Sequence, residues 1–388
     1  MSGRADAAAP RRGLKVAMHV DGPSVRGNER QSLLVAEELL ERGHRLVVSC
    51  RERGPVRDAF AALGIPTTGA RPRGDLDPWS AGRFIAWLRR ERPDAALLTS
   101  WVRLLGAGWS ARRAGVPRIV LRLGAVQPIP AGVEGWKHRR SLTRYTDAVV
   151  ANSRAVRDHL LAAVPGLAPE AVYYVPNGVR LRPAPPAPLR AELRIPPDAL
   201  LAAGVGGLER RKGFDVLVSA LAHAADPGLH VVLAGEGPDR EALRARAESL
   251  GVADRVHLLG QRADVAAVLA ASDVFVLSSR SEGMSVAMLE AATARRPVVS
   301  TDVGGAWDVL APREGRPPAG WIVPPDDAPA LAAALAEVAG GLRAGGGAVA
   351  ARVDEAAWRL EHWFSVERMI DGVEAALLGL PFGLLGAA

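Results

Sequence analysis

The feature that most constrains this chain is a strand–helix alternation that runs twice, with a stretch of prolines between the two runs. In the first run, apolar segments at Leu14–Val20, Arg45–Cys50, Ile65–Thr68, Asp94–Thr99, Arg118–Leu123 and Ala148–Ala151 predict strands. The intervening segments carry helical spacing; the first of them, from about Glu29 to Arg42, places Leu33, Leu34, Ala36, Leu39 and Leu40 on one stripe. Val172–Val175 closes this half. Pro183, Pro185, Pro186, Pro188, Pro196 and Pro197 then crowd into residues 180–198, which show no apolar periodicity and predict a stiff linker. The alternation restarts with strands at Leu200–Val205, His230–Ala234, Val256–Leu259, Asp273–Leu277, Pro297–Ser300 and Trp321–Val323. Strands that alternate with helices form right-handed βαβ units around a parallel sheet covered on both faces. The 388 residues are long for one core. The predicted fold class is therefore α/β, two doubly wound domains in tandem facing a cleft. The expected divisions are a disordered stretch 1–13, a first domain 14–179, the linker 180–198, a second domain 199–353, and a C-terminal helix and tail 354–388. The last helix is read as one element from Asp354 to about Leu378 and is expected to pack back toward the first domain.

In such sheets ligands bind at the carboxyl ends of the strands, and the stretch Ser278–Ala292 stands at one of them. The buried-strand run Val274-Phe275-Val276-Leu277 leads into a Ser/Glu/Gly turn, followed by Val286, Leu289 and Thr293 at i, i+3, i+7. Ser285 or Ser281 is the candidate N-cap. A strand, a Gly-containing turn and a helix start make an anion site, because free backbone N–H groups and the helix dipole face one spot. Two carboxylates, Glu282 and Glu290, flank it. A ligand that is part phosphate and part hydroxyl-rich fits both features, which suggests a nucleotide sugar. The rival is the acid/base pair of a glycoside hydrolase, with carboxyl groups roughly 5 to 9.5 Å apart. Eight residues of helix rise about 12 Å, which suits two ends of an extended ligand better than one scissile bond.

Composition narrows the partners. Net charge is +7 and only three of the 49 basic residues are lysines, Lys15, Lys137 and Lys212. The arginines are scattered, without a basic arm or an aromatic-and-basic stacking motif, which argues against nucleic acid. An anionic membrane surface stays open as a peripheral partner through Arg139, Arg140, Arg144 and Trp136. No apolar run reaches the roughly 18 residues of a membrane span, and the apolar tail 377–385 is broken by Pro381 and Gly residues. The N-terminus lacks an apolar signal region. The lone Cys50 excludes an intramolecular disulfide and a cysteine zinc cluster. The expected location is cytoplasmic, with peripheral attachment to the inner face of a membrane as the open variant.

Four further stretches line up with Ser278–Ala292: Val175-Pro176-Asn177-Gly178-Val179, Gly204 to Asp215, Leu233 to Pro238, and Ser300 to Gly305. In this order and spacing they resemble the retaining glycosyltransferases of family 4, which have the GT-B fold of two Rossmann-like domains. In the first half, Arg26-Gly27-Asn28-Glu29-Arg30 followed by Gly43-His44 looks like the family's glycine loop and first-helix end. The resemblance implies a nucleoside-diphosphate sugar as donor substrate, no cofactor, and a sugar or lipid-linked acceptor. It implies that Lys212 contacts the donor diphosphate, whose charge a compact ammonium neutralises. It places Glu282 near the transferred sugar and Glu290 on the ribose hydroxyls. It sets the backbone N–H groups of Gly283, Met284 and Ser285 on phosphate, lets Gly27 approach the diphosphate across the cleft, and puts Gly260 at the turn that meets the base.

Two departures stand out. Gly207 occupies the position where the family carries an arginine that also meets the diphosphate, so Arg210 or Arg211 would have to reach round. The segment Leu121–Gln127 lacks the histidine that many members carry there; His19 and His138 are the candidates to replace it, each more readily read as a packing residue. No Asp-x-Asp cluster presents itself, so no metal is expected. The resulting reading is a retaining, metal-independent transferase. Its rivals are a nucleotide-sugar epimerase or phosphorylase on the same fold, and a non-catalytic sugar-nucleotide-binding protein.

Overall fold

The doubled alternation folds into two parallel sheets. The computed structural model describes residues 13–383, apart from 76, 181–183, 225 and 314. The expectation for residues 1–12, and the parts of the linker and tail at 181–183 and 384–388, lie outside the described residues. The first sheet holds β1 (Lys15–His19), β2 (Arg45–Ser49), β3 (Thr67–Thr68), β4 (Ala95–Leu98), β5 (Arg118–Leu123), β6 (Ala148–Ala151) and β7 (Val172–Tyr174), in the order β3-β2-β1-β4-β5-β6-β7. The second holds β8 (Leu200–Val205), β9 (Leu229–Ala234), β10 (Val256–Gly260), β11 (Val274–Leu277), β12 (Val298–Thr301) and β13 (Trp321–Val323), in the order β10-β9-β8-β11-β12-β13. The pairings β1·β2, β1·β4, β8·β9 and β8·β11 are all parallel. Every residue of β4, β6, β11 and β12 is buried. Such continuous apolar strands belong in a sheet sandwiched between helix layers. Strand order reverses between β1 and β4 and again between β8 and β11, so each domain opens a crevice at the carboxyl ends of those strands.

The two crevices face each other. Two crossings join the domains. One follows β7 through Asn177 and Gly178. The other lies near Phe364, and it corrects the expectation of a single last helix. Gly347–Trp363 and Val366–Leu378 are separate helices, the second started by Ser365, whose side chain accepts from the Arg368 N–H at 3.2 Å. The reason is packing. Ala356, Leu360 and Phe364 join Leu289 and Leu310 in the second domain's core, whereas Met369, Ile370, Val373 and Leu377 join Val16, Val120 and Val150 in the first. The expected return of the C-terminal helix to the first domain therefore holds for its second part. At the crossing, a Cβ on Gly178 would stand 2.6 Å from the Val366 Cα, so the two connections lie backbone against backbone.

The proline-rich segment is also more than a strap. It contains a helical turn, Leu189–Glu192, and buries Leu189 and Ile195 beside Leu269 and Phe275 of the second domain. A helix not expected from the sequence, Gly132–Arg144, lies over the first domain with Ser141 and Leu142 buried and Val133 and Trp136 exposed. No helix among the described residues is long and apolar enough to cross a membrane.

Candidate active site

A cleft of about 1090 Å³ lies between the domains, walled by the loops that follow β1, β4 and β5 on one side and β8, β9, β10 and β11 on the other. Lys212, Glu282, Glu290, Met284, Ser285, Gly27, Arg211 and Gly207 all line it. Gly283 and Gly260 do not.

Glu282 is the centre of the second-domain wall. It is 8% exposed, and its Oε1 accepts from Lys212 Nζ at 2.6 Å and from Ser279 Oγ at 2.9 Å. Arg211 Nη1 stands 3.3 Å from Oε2. Two loops seventy residues apart are stitched to make this arrangement. Arg280 N donates to the Arg211 carbonyl at 2.8 Å, and Ser278 Oγ to the Lys212 carbonyl at 3.0 Å. Gly213 ends the lysine turn at φ +60°, where an added Cβ would lie 2.0 Å from the Ser278 carbonyl oxygen, so only glycine fits. Arg280 grips Asp215 with two bonds of 2.8 and 2.7 Å and donates to the Arg210 carbonyl at 2.6 Å. This bidentate brace is not anticipated from sequence, although Arg280 sits two residues before Glu282.

The helix Val286–Thr293 starts as its sequence predicts. Ser285 is the N-cap and accepts from Met288 N at 3.4 Å. Among the described residues, the N–H groups of Met284 and Ser285 have no backbone acceptor outside helices and strands. Orphan amides at a helix start favour an anion. Gly283 stands elsewhere: it bridges to Ala125 of the first domain, and a Cβ on it would lie 2.1 Å from the Gly124 carbonyl oxygen and 2.6 Å from Asn152 Oδ1. It is a glycine because the domains touch there. Gly260 similarly pairs with Gly235, its carbonyl accepting from Gly235 N at 2.8 Å, and its neighbours Gln261 and Arg262 reach the cleft instead. Glu290, half-buried on the same helix, has its carboxyl pushed up by burial, with Arg30 of the first domain opposing that shift. No hydrogen bond or ion pair to a described residue engages it.

Across the cleft, Arg122 is fully buried, and burial lowers its guanidinium to about 10. Its Nη2 donates to Asn177 Oδ1 at 2.7 Å, which turns the Asn177 amide so that Nδ2 donates to the Met284 carbonyl at 3.1 Å. First domain, crossing and anion loop are thus linked through one amide. Neither candidate histidine reaches the cleft. His19 is buried, bonded to Ser49 Oγ at 3.2 Å and lowered to about 4, chiefly by burial. His138 stacks on Trp101 with centroids 4.2 Å apart, and burial lowers it too. Of the two arginines expected to reach round, Arg211 lines the cleft and Arg210 does not. Arg211 is held by Glu209 Oε1 at 2.9 Å and the Ser281 carbonyl at 3.1 Å. Among the described residues no group of three or more His, Cys, Asp or Glu side chains is placed to hold a metal.

Two Rossmann-like domains with facing crevices define the GT-B class. The Anabaena protein Alr3699/HepE, solved in complex with UDP, superposes over 95% of this chain and 100% of its own with a TM-score of 0.81 at 19% identity. Family profiles match both halves: Glycosyltransferase Family 4 over residues 25–183 and Glycosyl transferases group 1 over 200–340. The D-inositol 3-phosphate glycosyltransferase of Segniliparus rotundus is 32% identical over 238 residues, covering 58% of this chain and 50% of that protein. The lipopolysaccharide core biosynthesis glycosyltransferase LpsE of Rhizobium meliloti is 41% identical over 112 residues, 29% of this chain and 32% of that one. The matched part spans about half the length of the first of these relatives and about a third of the second. The chain belongs to the family 4 glycosyltransferases.

Proposed function

We propose that this chain transfers a sugar, with retention of configuration, from a nucleoside-diphosphate sugar held by the second domain to an acceptor held by the first. The observation that carries the proposal is the Lys212–Glu282 pair at 2.6 Å, set beside the amides of Met284 and Ser285 and the carboxylate of Glu290 in one cleft. The Anabaena protein of the same fold, solved with UDP and with UDP-glucose, supports the donor class. The diphosphate sits at Lys212 and the helix start, the ribose at Glu290, and the transferred sugar at Glu282. As the anomeric carbon parts from the phosphate oxygen, Lys212 offsets the charge developing there. Among the described residues no histidine lines the cleft to serve as a base, so the departing phosphate takes the acceptor's proton as the new glycosidic bond forms on the same face. Cations and amides do the work that a metal does elsewhere, so the reaction is proposed to be metal-independent.

The acceptor is a glycan, a lipid-linked sugar or a small hydroxyl compound. A lipid-linked acceptor suits the helix Gly132–Arg144, whose Val133 and Trp136 are exposed beside Arg140, with the guanidinium 5.4 Å from the Trp136 ring. That face would rest on the anionic inner surface of a membrane from the cytoplasmic side. A thermal-shift screen of UDP-, GDP-, ADP- and dTDP-sugars tests the donor site. A ligand at 100 times its Kd stabilises by about 2.7 kcal/mol, so one member should raise the melting temperature of the wild type and not of Lys212→Ala. No shift with any of them refutes the donor site.

A further inference from the structure

The geometry points to Arg26, in the first domain, as the second cation that clamps the donor diphosphate, opposite Lys212. The inference rests on the nucleotide-sugar reading above. It starts from the glycine pair Gly206-Gly207, at the carboxyl end of β8. A Cβ placed on Gly206 would lie 3.2 Å from Lys212 Cε and 3.6 Å from its Nζ, so the lysine arches over this residue from the second domain. A Cβ on Gly207 would find Arg26 Nη1 at 3.7 Å, reaching over from the first domain. Two cations, one from each side of the cleft, therefore converge on one dipeptide that carries no side chains of its own, beside the Glu209 carboxylate, which lies 3.8 Å from the same Gly207 point and is held by Arg211 at 2.9 Å. Gly206 and Gly207, Lys212 and Arg26 all line the cleft.

Charge accounting favours this role. A nucleoside diphosphate carries at least two negative charges, and Lys212 already shares its charge with Glu282 at 2.6 Å. Arg211, the other nearby cation of the second domain, is committed to Glu209 and Glu282. Arg26 forms no ion pair among the described residues, although its guanidinium is carried into the cleft at the start of the helix Gly27–Glu41. At position 207 a Cβ alone would lie in ordinary van der Waals contact with Arg26. A long side chain there would occupy the space that the Arg26 guanidinium enters. A planar guanidinium donates two parallel bonds to phosphate oxygens, and here it does so from the opposite domain.

The test is titration calorimetry on the full chain with UDP, GDP, ADP and dTDP, followed by the best binder's monophosphate and nucleoside, using wild type, Arg26→Ala, Arg26→Lys and the double variant Arg26→Ala/Gly207→Arg. Arg26 is solvent-exposed, so its truncation leaves the fold intact, which circular dichroism verifies. Loss of a charge-assisted pair predicts that Arg26→Ala binds the diphosphate about tenfold or more weaker while nucleoside binding is unchanged, and that Arg26→Lys loses less. Restoring a guanidinium at 207 should recover most of the diphosphate affinity. Equal diphosphate affinity in wild type and Arg26→Ala overturns this inference and leaves the donor reading standing. Equal losses for the diphosphate and the nucleoside overturn it too, because the effect is then not on phosphate. Failure of the wild type to bind any of the four diphosphates overturns both.

Discussion

Lys212 Nζ and Glu282 Oε1 lie 2.6 Å apart, on two loops joined by a backbone hydrogen bond from Arg280 to Arg211 and both walling the same cleft. Glu282 is 8% exposed, so removing the lysine leaves a desolvated carboxylate with Ser279 and Arg211 as its remaining partners. Lys212→Ala is therefore expected to lower stability by about 1–3 kcal/mol and to slow sugar transfer by at least about a hundredfold. The double variant Lys212→Ala/Glu282→Gln removes the stranded charge as well. Its denaturation midpoint should return toward wild type while its turnover does not. Recovery of both together would mean the pair is a structural brace only.

Glu290 makes a narrower prediction. A carboxylate that accepts from ribose hydroxyls distinguishes a ribonucleotide from its 2′-deoxy counterpart. Wild type should bind the ribo-diphosphate about ten times tighter than the deoxy form, and Glu290→Ala should bind the two alike. Burial raises the Glu290 carboxyl, so it takes up a proton earlier on acidification than an exposed glutamate. Ribose preference should then weaken as the pH falls, ahead of any unfolding. Calorimetry at stepped pH with both nucleotides measures it, and a preference that survives in Glu290→Ala moves the ribose elsewhere.

Two glycines separate close approach from open space. A methyl at Gly283 would meet the Gly124 carbonyl oxygen at 2.1 Å and Asn152 Oδ1 at 2.6 Å, both in the other domain. Gly283→Ala must push the domains apart, so turnover should fall by at least about tenfold while each domain's melting changes little; small-angle scattering should report a larger radius of gyration. A methyl at Gly27 meets nothing within 4 Å. Gly27→Ala should keep wild-type stability and, if that backbone faces the diphosphate, lose donor affinity only. Wild-type affinity in Gly27→Ala would remove this residue from the donor site.

The contrast between these glycines shows what the sequence can and cannot say. Local signals place the strands, the Ser285 cap and the Glu282–Glu290 pair, because apolar period and capping chemistry are written within a few residues. Gly283 looks like a phosphate residue because a glycine in a turn before a helix reads the same whether a ligand or a second domain approaches it. The last helix looks continuous because its apolar spacing does not break at Phe364. The identity of the two cores, with Leu360 in one and Met369 in the other, divides it, and the one local mark of the break is Ser365, the cap of the second helix. The braces Arg280–Asp215 and Arg122–Asn177 join residues 65 and 55 positions apart. Arg26 over Gly207 is a relation across domains that no local pattern carries.

The same interdomain seam predicts a pH dependence at Asp308. This carboxyl, on the short helix Ala306–Leu310 of the second domain, is 3% exposed and accepts from the Arg154 backbone N–H of the first domain at 2.9 Å. Burial dominates and raises it from 3.8 to about 6, the Arg154 bond and charge opposing. Because the folded value lies above the unfolded one, the folded chain holds this proton where the unfolded chain has released it. The stabilisation is complete below about pH 4 and fades as the pH rises toward 6, after which it stays lost. A rise of that size is worth at most about 3 kcal/mol. Other carboxylates, such as Asp215 paired with Arg280, are lowered and act in the opposite sense, so the readout must be a difference. Urea midpoints of wild type and Asp308→Asn, measured from pH 4 to 8, should show wild type gaining on the variant as the pH falls from 7 to 4. A constant difference across that range would mean that Asp308 titrates like an exposed carboxylate and that the seam is open to water.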